Sequence, residues 1–90
     1  MGFEWDARKR ESNLLIHRVD FIDVLSIFDG ATLEIVDDRF NYGESRIRCL
    51  GEIEGRVYVV VYTWRGVNRR IISARKANAR EGRTYYARQR

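Results

Sequence analysis

Of the 17 cationic side chains in this 90-residue chain, fifteen are arginine and two are lysine, and nine of the 17 lie beyond Trp64. From Arg65 to Arg90 those nine face one acid, Glu81, whereas the preceding 64 residues hold eight cations against twelve acids. A chain polarised in this way calls for a polyanionic partner, with nucleic acid the first choice. Arginine suits phosphate, because its flat fork of donors grips oxygen bidentately and its plane stacks on bases. Arg75 is the foremost candidate for a phosphate contact. It ends a strand beside the start of the last helix, where free N–H groups attract anions; the alternative is an ion pair with Glu81 or another carboxylate. Arg65, at a hairpin edge, and Arg70, on the strand, are candidates of the same kind, with a solvated edge as the plain alternative. Arg46 and Arg48 on a neighbouring strand would widen the patch, as would Lys76 and Arg80.

Proton transfer needs a different set. Glu81 sits among cations that should lower its pKa and keep it ionised, which suits a base or a group orienting an arginine; a helix-capping role explains it equally well. His17 is the one side chain whose ordinary pKa lies near neutrality, although a histidine ending a helix is also an ordinary structural feature. Tyr85 and Tyr86 could stack on bases or donate a proton, with one of them packing on the sheet instead. Trp5, Tyr62 and Trp64 read as core or partner contacts. One histidine, one cysteine and no carboxylates at ligand spacing make neither a metal nor a cofactor expected. The pair Asp37–Asp38 reads as a solvated loop, and Cys49 as a small buried hydrophobe in a reducing compartment.

The elements that must position these groups can be read from spacing. Ninety residues make one domain, 1–90, with a thin stability margin. Phe3–Trp5 is a short edge strand. Asp6 caps a helix through about Ile16, with Leu14 and Leu15 facing inward. Asp20 caps a second helix, stapled by Val19 and Val24, whose stripe is Phe21, Val24, Leu25 and Phe28 and whose left-handed stop is Gly30. Thr32–Val36 and Arg46–Ile53 follow as strands; on the latter Ile47, Cys49 and Ile53 lie on one side and Arg46, Arg48 and Leu50 on the other. Glu54–Gly55 makes a tight hairpin into a central strand, Arg56–Trp64, and Gly66 marks another. On Asn68–Arg75, alternation groups Arg69, Ile71, Ser73 and Arg75 on one face and Arg70, Ile72 and Ala74 on the other. Asn78 and Glu81 form a capping box for a last helix reaching about Arg88. The class is α+β, a small antiparallel sheet of about four strands with two N-terminal helices and one C-terminal helix, the helices on one face and the arginines on the open one. No apolar run approaches the roughly 20 residues of a membrane helix, and MGFEWDARKR has no apolar signal core, so a cytoplasmic protein is expected.

Four segments resemble the BrnT family of bacterial type II toxins. Phe3–His17 is similar to its opening, FEWD followed by a helix and N-L-x-x-H. VDFIDVLSIF resembles V-x-F-x-x-A-x-x-V-F. RVYVVVYTWRG resembles R-x-x-V-V-V-x-T-x-R-G, and RIISARKANAREGRTYY resembles R-I-I-S-A-R-x-A-x-x-x-E-x-x-x-Y. The chain departs at Val24, where the family has a small residue, and at Ile16–His17–Arg18, where it has Lys-His-Gly. The resemblance implies a RelE-like fold and a bacterial ribonuclease that stops translation. It also implies a BrnA-like ribbon–helix–helix antitoxin in a 2:2 assembly, with operator DNA contacted only through that antitoxin. RNA cleavage of this kind runs without metal: the 2′-OH attacks the adjacent phosphate, a base takes its proton, an acid protonates the leaving 5′-oxygen, and cations stabilise the phosphorane. A binding module using the same arginines without cleavage is the alternative.

Overall fold

A computed structural model describes residues 2–38 and 43–89; the segment between Asp37 and Glu44 lies partly outside them. The order is β1 (Gly2–Trp5), α1 (Ala7–His17), α2 (Phe21–Val24), a 3₁₀ turn (Leu25–Asp29), β2 (Thr32–Asp37), β3 (Arg46–Ile53), β4 (Arg56–Arg65), β5 (Asn68–Lys76) and α3 (Ala79–Arg88). The sheet has five strands rather than four, in the order β1-β5-β4-β3-β2. It is mixed, because β1 pairs parallel with β5 while β2 to β5 form an antiparallel meander. β4 is the central strand, as its β-branched and aromatic residues require.

Local chemistry explains most boundaries. Asp6 accepts from the Arg8 N–H and Asp20 from the Ile22 N–H, satisfying donors that a helix start leaves open. Glu54 and Gly55 both have positive φ, 50° and 81°, which makes a turn of the primed kind that matches strand twist. Gly30 does not end its helix in the left-handed region: its φ is −114° because the helix has already tightened into the 3₁₀ turn. Arg18 takes a left-handed conformation instead, with φ 60°, and its N–H closes on the Leu14 carbonyl. Arginine in that region costs on the order of 1 kcal/mol.

The helices do not share one face. α1, α2 and the 3₁₀ turn cover one side, where Phe21, Val24 and Ile27 pack on Cys49, Val60, Tyr62, Ile71 and Ala74. Gly51 leaves room for Ile27, since a Cβ there would stand 2.6 Å from the Ile27 Cβ. α3 packs on the opposite side, where Tyr85 joins Leu50, Val57 and Val59. The expected inward pair on α1 is also corrected: Leu15 is 76% exposed, and the buried residue of the helix is Asn13. α1 lies along the edge of β5, and that edge needs hydrogen-bond partners more than it needs aliphatic cover.

The decisive irregularity is in β5. Val61 pairs with Ser73 but Tyr62 pairs with Ile71, so Ile72 is an extra residue, a β-bulge. The simple alternation expected for this strand therefore breaks. Arg69, Ile71 and Ala74 face α1 and α2, whereas Arg70, Ser73 and Arg75 face the α3 side.

Candidate RNA-binding site

Alternation on β3 and β4 and the bulge on β5 bring Arg46, Arg48, Arg70 and Arg75 to one face, around Val61, Thr63 and Ser73. α3 covers only the part of this face over Leu50, Val57 and Val59, so among the described residues no helix covers the arginine-rich part, whose arginines stay partly exposed. Arg65 is exposed at the end of β4, beside the pair formed by Thr63 and Arg70.

Each leading arginine has an acidic neighbour. Arg75 grips Glu81 with both terminal nitrogens, at 2.7 and 2.8 Å. Glu81 also accepts from the Asn78 N–H at 2.9 Å, completing the capping box, and Arg48 approaches it at 3.9 Å. The Arg75 hydrogen bond, helped by the Asn78 N–H and the Arg48 charge, holds the Glu81 carboxyl at about 2 against the opposing effect of burial. Arg70 donates to Glu4 on β1 at 2.8 Å, and that bond keeps the Glu4 carboxyl below its ordinary value. The pairs are not sealed: the Arg70 and Arg75 side chains remain 29% and 33% exposed. Among the described residues, the Nε of Arg48 is buried with no hydrogen-bond partner. A cleft of about 340 Å³ lies against this end of the patch, lined by Arg48, Glu81, Arg80, Asn78, Thr84 and the aliphatic Ile35 and Leu50. It couples cationic donors to the first turn of α3, a setting for an anion.

Not every expected residue joins. Lys76 pairs with Tyr58 and lies on the α1–α2 side, because β5 alternates away from Arg75. Tyr85 is buried and donates to the Ala31 carbonyl at 2.8 Å, so it is a core residue with no ring face left for a base. Tyr86 is exposed but bonded to Glu52. His17 ends α1 and lines, with Ile72 and Ser73, a groove of about 240 Å³ at the β5 edge; none of the four converging arginines lines that groove. Asp37 is buried at the β2 position opposite Arg46 rather than solvated. No group of three His, Cys, Asp or Glu that could hold a metal ion is found among the described residues. Burial raises the Cys49 thiol to about 12, so it is a packing residue. No helix among the described residues is long and apolar enough to cross a membrane.

Two contributors escaped the sequence reading. Glu4 anchors Arg70 only because β1 crosses to the far edge of the sheet. Asn13 binds both backbone polar groups of Ala74; a lone amide at an inward helical position was the available signal.

A search among curated proteins gives no match. The crystal structure of the Brucella abortus ribonuclease toxin BrnT is similar at 27% identity, covering 87% of this chain and 97% of that one, with a TM-score of 0.67. The sequence model described as "Ribonuclease toxin, BrnT, of type II toxin-antitoxin system" matches residues 5–81. With that match spanning most of its length, the chain belongs to the BrnT family of ribonuclease toxins of type II toxin–antitoxin systems.

Proposed function

We propose that this chain is a metal-independent RNA endonuclease of the bacterial cytoplasm. It cuts RNA, stops translation and is neutralised by a BrnA-like ribbon–helix–helix antitoxin in a 2:2 complex that touches operator DNA only through the antitoxin. The observation that carries the catalytic reading is the convergence of Arg46, Arg48, Arg70 and Arg75 on one open sheet face. In the reaction the 2′-oxygen bonds to phosphorus as the bond to the 5′-oxygen breaks. The 2′-proton leaves to a base, the leaving oxygen gains one, and Arg48 and Arg75 balance the charge on the pentavalent phosphate. Glu81 acts by orienting Arg75: a carboxyl held at about 2 is a weak base at neutral pH. His17, in the groove at the β5 edge beside Ser73, is the proton-transfer candidate. Arg65 and Arg80 extend the phosphate track.

That same low basicity favours a second reading, in which the patch holds RNA or an antitoxin segment without cutting. One experiment separates the two. The chain is incubated with single-stranded RNA in excess EDTA. Fragments ending in a 2′,3′-cyclic phosphate and a 5′-hydroxyl support the nuclease. Cleavage that stops with chelator and returns with magnesium refutes the metal-free scheme. Salt-sensitive binding of intact RNA supports the binding module.

A further inference from the structure

The bulge that brings Arg70 and Arg75 together needs something to hold it. β1 supports β5 only as far as the Trp5–Ile71 pair. Beyond that point β5 is an edge strand, and Ala74, the first buried residue past the bulge, has its N–H and carbonyl available on that edge. α1 covers this edge and shuts out water, so either group would carry a penalty if left unpaired. Asn13 meets both. Its Nδ2 donates to the Ala74 carbonyl at 2.7 Å and to the Val19 carbonyl at 2.9 Å, and its Oδ1 accepts from the Ala74 N–H at 3.1 Å. A planar amide carries donor and acceptor side by side, as a neighbouring strand does. Ala74 immediately precedes Arg75, and a slip of one residue would exchange their faces.

We propose that Asn13 is a positioning residue: its amide replaces the missing strand neighbour of β5, pins the register after the bulge, and so aims Arg75 into the arginine patch. The inference rests on the nuclease reading only for the use made of Arg75; its aim is a property of the fold. It also accounts for an amide being the buried residue of a helix whose leucines face outward.

The test uses the whole chain and a single-stranded RNA oligonucleotide methylated at every 2′-OH, which binds without being cut. Asn13→Ala lowers affinity about tenfold and reduces the slope of log affinity against log salt by about one phosphate contact. Arg75→Ala does the same, and the double variant binds no worse than Arg75→Ala. An Asn13 that only stabilises the fold would lower Tm, leave the salt slope at the wild-type value and add its loss to that of Arg75→Ala; that pattern overturns the proposal. Should Asn13→Ala fail to fold, Asn13→Ser, which keeps one polar group at the site, gives the same pattern at reduced size. In the unaltered chain the Ala74 amide must exchange slowly with solvent, and exchange as fast as that of a bare edge strand overturns the clamp itself. If the wild type does not bind the oligonucleotide, the proposed function fails. The Asn13 inference is then judged by the Arg75 guanidinium signal, which loses its Glu81 pairing in Asn13→Ser if the inference holds and keeps it if the inference is wrong.

Discussion

Arg69 and Arg75 lie on one strand and meet opposite surroundings. Arg69 faces α1 and α2, with its guanidinium over Phe28, Trp64 and Tyr62 at 4.5, 4.7 and 5.3 Å from the ring centres. Aromatic faces surround it there, and the arginine completes a wall of the core. Beside it Tyr62, raised to about 12 by burial first and by its bond to Glu34, is a structural hydroxyl. Arg75 faces the other side, bound to a carboxylate within reach of solvent and with Arg48 close by. The same residue type therefore serves packing on one face and anion binding on the other, and one extra residue between them decides which does which. Charge density along the sequence cannot make that distinction; sheet parity can.

Deleting Ala74, beyond the bulge, should break the contrast most severely. Arg75 would then take the buried place of Ala74 on the α1–α2 side, in the cluster that holds Phe21 and Val24, where an unpaired guanidinium costs several kcal/mol. RNA cleavage is expected to vanish and Tm to fall by more than about 10 °C, read by gel assay and thermal unfolding; a deletion variant with near-native cleavage would contradict the parity argument. Arg75→Ala comes next. It is expected to lower kcat/KM for RNA by roughly a hundredfold, in line with removal of one transition-state donor, while unfolding free energy shifts by about 1 kcal/mol or less. Arg69→Ala should give the mirror image, a stability loss of about 1–2 kcal/mol from the aromatic contacts, with an unchanged salt slope for RNA binding. Equal effects of the two variants on RNA would erase the distinction between the faces.

The smallest effect is the acid limb of stability. Glu81 has a folded pKa of about 2 against an ordinary value of 4.5. A depressed carboxylate contributes stability that is present above its unfolded pKa and is lost as pH falls through the folded one. Wild type should therefore exceed Glu81→Gln in stability at neutral pH, and the gap should close between about pH 5 and pH 2. Denaturant titrations at pH 7, 4 and 2.5 measure it, and a gap that widens toward acid would reverse the assigned sign.

Much of this molecule was readable before any coordinates. Capping pairs act over two or three residues, so Asp6, Asp20 and the Asn78–Glu81 box announce their helices directly. Glu54–Gly55 announces its turn in the same way, alternation announces β3, and a run of β-branched and aromatic residues announces β4. The errors cluster where partners are distant in sequence. By sequence Leu14 and Leu15 point inward as aliphatic side chains usually do, yet α1 docks through an amide bonded 61 residues away. The basic stretch around Tyr85 suggests an RNA contact, yet its ring completes the core under α3. Adjacency groups Lys76 with Arg75, although adjacency on a strand means opposite faces.

Local sequence was enough to specify which elements form, where they start, and that a cationic segment follows an acidic one. Each depends on interactions between near neighbours along the chain. Which arginines share a surface depended on things no window of sequence contains. β1 crosses in parallel to the far edge of the sheet, α3 turns back over the face opposite the first two helices, and a bulge clamped by Asn13 changes strand parity midway. Those features are chosen by the pairing of buried backbone groups across long separations, where a single residue of register reverses every side chain beyond it.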